Sequence, residues 1–157
     1  MVEVAVEDRG PGCAVVRHGR VLHVRLLTMA CCSVEAADAV AALQQDGEGQ
    51  GATSRGLVEL NVLVVAGTVT TGNCYLVSDA YEAMPAPRAV VAFGVCTISG
   101  GPYWDSYSVV PGIAEVVPVD AFVPGCPPHP QDLVAALDQL ATNRLDHDGA
   151  FASREQS

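Results

Sequence analysis

Lysine is absent from this sequence, so its eight basic side chains are all arginines. Aspartate and glutamate together number 18, which leaves a formal net charge of −10 at pH 7. Proteins bind nucleic acid and anionic lipid through clusters of basic side chains that neutralise phosphate groups. The composition therefore argues against a nucleic-acid-binding protein, and against a protein that attaches to a membrane through this chain alone.

Long apolar runs are also missing. A helix needs about 18 or more consecutive apolar residues to span a bilayer, and no run in the sequence approaches that length. The amino terminus carries Glu3, Glu7 and Asp8, whereas a secretory signal peptide begins with a basic segment. We therefore expect a cytoplasmic protein, in a reducing compartment where thiols remain free.

The pattern of apolar and polar residues predicts one α/β domain. Apolar runs typical of strands alternate with amphipathic helical segments, which favours a mainly parallel sheet flanked by helices. Residues 1–14 are predicted to be a loose N-terminal extension, residues 15–145 the α/β domain, and residues 146–157 a flexible C-terminal tail.

The individual elements follow from hydrophobic periodicity and from the positions of Gly and Pro. Helices are predicted over residues 33–45, 74–84 and 130–144, and buried strands over residues 58–66 and 88–95. Residues 15–27 are predicted to form an early strand or hairpin, and residues 20–27 fit the pattern of a strand better than the rest. Residues 96–111 are predicted to be a long loop, and residues 116–123 a short extended run.

Four of the six cysteines stand where a strand-like run gives way to a turn, namely Cys31, Cys32, Cys96 and Cys126. The carboxyl ends of parallel strands share one edge of a sheet, and ligands bind in the crevice beyond that edge. The fold would therefore direct four thiols into one pocket. In a reducing compartment, converging thiols indicate a metal centre before they indicate disulfides.

The adjacency of Cys31 and Cys32 favours one kind of centre. Successive side chains on a strand point to opposite faces, whereas a turn into a helix can direct both towards one site. A [4Fe–4S] cluster presents four separate iron atoms, so it accommodates adjacent ligands more readily than a single tetrahedral zinc ion. Zinc, and buried structural thiols without any metal, remain the alternatives. Cys13 and Cys74 lie in other settings and are interpreted as free thiols that behave as small hydrophobic residues.

Six stretches of the sequence together resemble the B-type iron–sulfur subunit of NADH–quinone oxidoreductase, respiratory complex I, and more distantly the small subunits of [NiFe] hydrogenases. They are residues 30–35 (ACCSVE), 64–70 (VVAGTVT), 81–85 (YEAMP), 94–96 with 99–101 (GVC and SGG), 107–110 (YSVV), and 117–120 with 123–128 (VPVD and VPGCPP). The resemblance implies a flavodoxin-like α/β fold and one [4Fe–4S] cluster held by Cys31, Cys32, Cys96 and Cys126. It also implies an oxidoreductase subunit that is not active alone.

The resemblance further implies partners and a location. The family's subunit abuts a larger catalytic subunit, and quinone is reduced at their junction. We therefore expect electron transfer towards quinone within an assembly at the inner face of the cell membrane, with membrane contact only through the complex. Two alternatives are the small subunit of a membrane-associated [NiFe]-hydrogenase-type complex and a divergent, non-catalytic paralogue.

The sequence departs from the family pattern in its charges. Family members carry Lys or Arg around the ligand loops, where this chain has Gly72, Ser78, Asp79, Pro111 and His129. We therefore expect altered quinone-facing and partner-facing surfaces, and compensating positive charge on a partner chain.

Several other side chains near the cysteines are candidates for a role. Glu35 and His129 are possible proton-linked groups, although Glu35 is also a carboxylate favoured by a helix N-terminus and His129 is also an ordinary exposed loop residue. Tyr103, Trp104 and Tyr107 are candidates for shielding the cluster, lining a path for quinone, or packing at an interface.

Overall fold

The structure is a computed structural model that describes residues 13–17, 19–29, 32–45 and 58–143. Residues 1–12, residues 46–57 and residues 144–157 lie outside the described residues. Cys31 lies outside them as well. The division into an N-terminal extension, a domain and a C-terminal tail therefore stays a prediction.

The described chain contains five strands and four α-helices. In chain order they are β1 (Cys13–Arg17), β2 (Arg20–Thr28), α1 (Ser33–Gln45), β3 (Val58–Ala66), α2 (Cys74–Ala83), β4 (Arg88–Phe93), α3 (Val95–Ser99), β5 (Ala121–Val123) and α4 (Pro130–Asn143). Two 3₁₀ helices, Gly101–Tyr103 and Ile113–Glu115, lie between α3 and β5. No helix among these elements is long and apolar enough to cross a membrane.

All five strands form one sheet in the order β1-β2-β3-β4-β5. β1 is antiparallel to β2, and β2 to β5 are parallel to one another. The predicted α/β class with a mainly parallel sheet is thus confirmed. The strand order is sequential, whereas a flavodoxin-like sheet has the order 2-1-3-4-5. The two orders differ because β1 of this chain lies on the outer side of β2.

The central strands are buried on both faces of the sheet, as the continuous apolar run of β3 predicts. One core contains Leu22, Val62 and Val91 from the strands and is covered by α1 and α4. The second core contains Leu63 and Val90 and is covered by α2 and by the segment between β4 and β5.

The connections that leave the carboxyl edge of the sheet pass to two different faces. The chain leaving β2 and β5 passes to the face that carries α1 and α4, and the chain leaving β3 and β4 passes to the opposite face. Neighbouring connections therefore diverge between β2 and β3 and again between β4 and β5. Diverging connections open the crevice in which α/β sheets bind ligands.

This arrangement also makes two βαβ crossovers differ in hand. The units β2–α1–β3 and β3–α2–β4 step in the same direction across the sheet, yet α1 and α2 pack on opposite faces. Two such crossovers are of opposite hand, whereas crossovers between parallel strands are right-handed in nearly all proteins.

Most predicted boundaries are close to the observed ones. α1 and β3 have the predicted bounds, and α2 ends one residue earlier than predicted. α4 begins at the predicted residue and extends to Asn143, the last described residue, so its predicted end at residue 144 is not tested. β1 begins at Cys13 and therefore extends into the segment predicted to be a loose extension.

Two predictions around the loops are wrong. β4 ends at Phe93 and Val95 begins α3, because Gly94 turns the chain with a φ of 98°. Residues 116–123 form a strand only at Ala121–Val123. The N–H groups of Val116 and Val117 donate instead to the carbonyl of Ile113, each at 2.9 Å, and Pro118 has no N–H to offer a neighbouring strand.

Candidate metal centre

Gly94 marks the point where the segments after β2, β4 and β5 meet. A Cβ atom built on Gly94 would lie 2.9 Å from Cys32 Sγ and 3.7 Å from the carbonyl oxygen of Gly125. The φ of 98° also falls in the left-handed region that favours glycine. Glycine here thus provides both the turn after β4 and the space for the Cys32 sulfur.

Cys32 is buried immediately before α1. Its side chain is 1% exposed, and its carbonyl oxygen accepts a hydrogen bond from Ala36 N at 3.1 Å, which closes the first helical turn. The first N–H groups of a helix have no partner inside the helix and carry partial positive charge. α1 therefore starts beside the Cys32 thiol and favours negative charge there.

Cys96 lies in the single turn of α3 and is 4% exposed. A Cβ atom on Gly101 would lie 2.9 Å from Cys96 Sγ, and Gly101 has a φ of 56°. Gly100 N donates to the Cys96 carbonyl at 3.0 Å and ends the helix. The chain thus turns back over the Cys96 sulfur and presents backbone, without a side chain, to that atom.

Thr97 fixes this turn from within the protein. Its side chain is fully buried, and its hydroxyl donates to the carbonyl of Gly67 at 2.8 Å and lies 3.3 Å from that of Phe93. The bond joins the segment after β3 to α3. The sequence did not predict this role, although a hydroxyl residue beside a ligand cysteine at a strand end was a possible signal.

We expect Thr97→Val to destabilise the protein by about 1–3 kcal/mol, because the Gly67 carbonyl would be left buried without its donor. The free energy of unfolding, measured by denaturant titration, tests this. Thr142→Val is the matched control, since the Thr142 hydroxyl donates to Asp138 O at 2.9 Å in an exposed setting. Equal losses for the two variants would show that Thr97 has no special role.

Cys126 differs from the other two described cysteines of the ligand segments because its side chain is exposed. It follows β5 in a segment joined to α3 by a 3.0 Å hydrogen bond from Val95 N to Gly125 O. A Cβ atom on Gly125 would lie 2.5 Å from Pro128 Cα, at a φ of 149°. The ligand loop is therefore held close to Cys96 and is shaped by a glycine and a proline.

The structure thus brings the segments of Cys32, Cys96 and Cys126 to one edge of the sheet. In the described part of the chain, which does not include Cys31, no group of three or more Cys, His, Asp or Glu side chains is close enough to hold a metal ion. The assignment of the four cysteines as ligands stays a prediction.

The two candidate proton-linked residues have different surroundings. Glu35 is in the first turn of α1 and half-buried, and its Oε2 atom is buried without a hydrogen-bond partner among the described residues. His129 is exposed and precedes α4, where its N–H donates to Asp132 Oδ2 and its Nδ1 atom accepts from Gln131 N, each at 3.3 Å. These bonds give His129 a helix-capping role.

The Cys74 thiol contacts a residue outside the ligand segments. It is half-buried at the start of α2, and its thiol lies 3.5 Å from the carbonyl oxygen of Thr71. The Cys13 side chain is outside the described residues.

The residues at this edge fit an iron–sulfur cluster chemically. The candidate ligands are all thiols, which are soft donors and suit iron–sulfur clusters and zinc. Two of the sulfurs are buried and face glycine backbone at positions where any side chain would collide with them. Such bare backbone leaves room around the sulfurs and can supply N–H groups to a negatively charged cluster.

A family model described as the NADH ubiquinone oxidoreductase 20 kDa subunit matches residues 22–140 of the chain. The match therefore includes the four cysteines, β3 to β5, and most of β2 and α4.

Three bacterial relatives, all B-type subunits of NADH-quinone oxidoreductase, show the same similarity. The protein from Streptomyces griseus is 41% identical over 114 residues, which are 71% of this chain and 48% of that protein. The protein from Symbiobacterium thermophilum is 40% identical, over 71% of this chain and 62% of that protein. The protein from Rubrobacter xylanophilus is 43% identical, over 71% of this chain and 45% of that protein. The chain thus matches about half the length of these relatives.

A solved structure is similar in fold. A chain of the membrane-bound sulfane sulfur reductase, an archaeal respiratory membrane complex, superposes with a TM-score of 0.55. The superposition covers 78% of this chain and 71% of the other, at 22% sequence identity.

Proposed function

Because this chain belongs to the family of the 20 kDa, B-type subunits of NADH–quinone oxidoreductase, we propose that it is an electron-transfer subunit holding one [4Fe–4S] cluster. The sequence motifs predicted the family, and the match over residues 22–140 agrees with them. The observation that supports the cluster best is the glycine backbone facing two buried thiols, Cys32 and Cys96.

Cys31, Cys32, Cys96 and Cys126 are the proposed ligands. When bound, the cluster supplies one-electron redox chemistry, and the protein supplies ligation, burial and position. Cys32 and Cys96 offer thiolates that are excluded from water. The start of α1 favours the negative charge that four thiolates bring. Thr97 holds the Cys96 turn against the end of β3.

The proposed assembly is an NADH–quinone oxidoreductase-like complex at the inner face of the cell membrane. In it, this chain abuts a larger catalytic subunit and passes electrons towards quinone at their junction. The exposure of Cys126 supports a partner at this edge, since a cluster ligand left in water would leave the cluster open to solvent and oxygen.

Anaerobic reconstitution of the full chain with iron and sulfide tests the cluster directly. We expect about four iron atoms per chain and an EPR signal that develops on reduction, as a [4Fe–4S] centre gives. Iron analysis and EPR spectra of the same sample provide the measurement. A colourless, iron-free chain would contradict the proposal and support a non-catalytic paralogue, and one zinc ion per chain would support a structural site.

A further inference from the structure

Four exposed aromatic side chains lie on two segments that a backbone hydrogen bond joins, and one of these segments passes over Cys96. Together we call them the aromatic surface. They are Tyr75, Tyr103, Trp104 and Tyr107, which are 54%, 56%, 71% and 96% exposed. Aromatic side chains bury about 150–250 Å² each when covered, so these four expose on the order of 500 Å². An apolar patch of that size on a soluble protein usually marks an interaction site.

Backbone hydrogen bonds hold the two segments of the aromatic surface together. Thr71 N donates to Ser108 O at 2.9 Å, which joins the turn before Tyr75 to the turn after Tyr107. Gly101 in the same segment faces Cys96 Sγ. The aromatic surface is therefore a fixed part of the carboxyl edge and lies next to a proposed ligand.

The charged side chains on the two segments of the aromatic surface are acidic. Asp105 lies between Trp104 and Tyr107, and Asp79 follows Tyr75 by four residues on α2 and so shares its face. Both carboxylates are on exposed residues. The stretch 94–143 contains five acidic residues and neither Lys nor Arg.

Arg88, which follows α2, already contacts an aromatic ring of this chain. Its guanidinium stacks 4.1 Å from the centre of the Tyr81 ring and donates to the Tyr81 carbonyl at 3.1 Å, at the opposite end of α2 from Tyr75. The same contact shows in this chain how an arginine covers an aromatic ring.

We propose that the aromatic surface docks an arginine-bearing face of a partner polypeptide, whose guanidinium groups stack on the aromatic rings and pair with Asp105 and Asp79. Arginine suits both tasks, because it is planar and weakly hydrated, stacks on rings and pairs bidentately with carboxylates. The identity of this partner as the larger catalytic subunit rests on the proposed function. In that complex, the partner would supply cations to the acidic side chains of this surface.

A protein partner fits these observations better than a membrane surface does. Exposed Trp and Tyr also occur at membrane interfaces, but there they are accompanied by Lys and Arg that meet anionic head groups. Here the accompanying side chains are carboxylates, which such head groups repel.

The test is the affinity of the full-length, cluster-loaded chain for the purified larger subunit, measured anaerobically by calorimetry at low and high salt. We expect Asp105→Arg to weaken binding about tenfold or more, and Tyr107→Ala to weaken it to a similar degree. We also expect the wild-type affinity to fall several-fold between low and high salt, since exposed charge pairs are screened over about 8 Å at physiological ionic strength. A flat salt response would overturn the proposal.

Two matched variants separate docking from general effects. Asp38→Arg makes the same charge reversal at an exposed position on α1, and Phe122→Ala removes an aromatic side chain that is 52% exposed on β5. Both should bind as the wild type does. If Asp105→Arg and Asp38→Arg weaken binding equally, only net charge matters and the docking site is wrong.

The single tryptophan, Trp104, provides a second readout. A short peptide of alternating Gly and Arg should shift its emission at lower concentration than the same peptide with Lys, because arginine stacks better on indole. Equal responses would overturn the arginine assignment, and a shift with neutral phosphatidylcholine vesicles would assign the surface to membrane instead.

Iron analysis of the same samples distinguishes this proposal from the proposed function. An iron-free chain whose variants still bind in the expected order would contradict the proposed cluster and support the docking site. If the chain binds iron and Asp105→Arg binds the partner as the wild type does, the result would support the proposed cluster and contradict the docking site.

Discussion

Cys96→Ser should reduce the iron bound by the reconstituted chain from about four atoms to near none, and should abolish the EPR signal of the reduced protein. The thiol is 4% exposed and faces the backbone of Gly101, so no other described thiol can take its place without moving the turn. Serine at Cys31, Cys32 or Cys126 should have the same effect.

Cys74→Ser is the matched control for these substitutions, because Cys74 is a free thiol on α2 whose sulfur contacts the carbonyl of Thr71. It should retain both the iron and the signal, as should Cys13→Ser. Loss of the cluster from the Cys74 variant, or its retention when one of the four proposed ligands is replaced, would show that the ligand set is assigned incorrectly. Circular dichroism of each apo-protein separates loss of ligation from loss of folding.

Gly94→Ala should lower iron binding to well below half of the wild-type amount without removing any ligand. The new methyl group would stand 2.9 Å from Cys32 Sγ, which is too close for a carbon and a sulfur atom, so the sulfur or the turn has to move. Strain at the left-handed φ adds about 1–3 kcal/mol to the loss of stability. Iron content and the free energy of unfolding measure the two effects separately.

Gly19→Ala distinguishes the collision from the backbone strain. Gly19 has a φ of 73° in the β1–β2 turn, and a Cβ atom there would meet no atom of the described residues within 4 Å. This variant should lose stability through its φ alone and keep its iron. If Gly94→Ala binds as much iron as Gly19→Ala, the space beside Cys32 is unimportant for the cluster.

The sequence predicted the parts of the fold that depend on local pattern. β3 is a continuous apolar run that ends at Gly67, and α1 is an uninterrupted helical segment after Cys32, so hydrophobic periodicity and glycine were sufficient to place their ends. The strand-end positions of Cys32, Cys96 and Cys126 follow from the same pattern.

The features that sequence did not predict depend on contacts between distant segments. α3 exists because Gly94 ends β4 early and Thr97 donates to Gly67, which is 30 residues away. The antiparallel pairing of β1 with β2 agrees with the hairpin that was one of two alternatives for residues 15–27, but the sequential strand order that results from it was not predicted. His129 caps α4 through Asp132, a relation that the spacing of the two residues could have suggested.

The β1–β2 hairpin also determines how this sheet can grow. β2 is nine residues long, and with one side unpaired it would present the kind of bare edge that recruits strands from other molecules. β1 pairs with its first half, from Arg20 to Val24, and becomes the edge itself. The outermost strands are then five and three residues long, and short edge strands are a common protection against edge-to-edge aggregation. Association of this chain is thereby directed away from sheet extension and towards the carboxyl edge, where the cysteines and the aromatic surface lie.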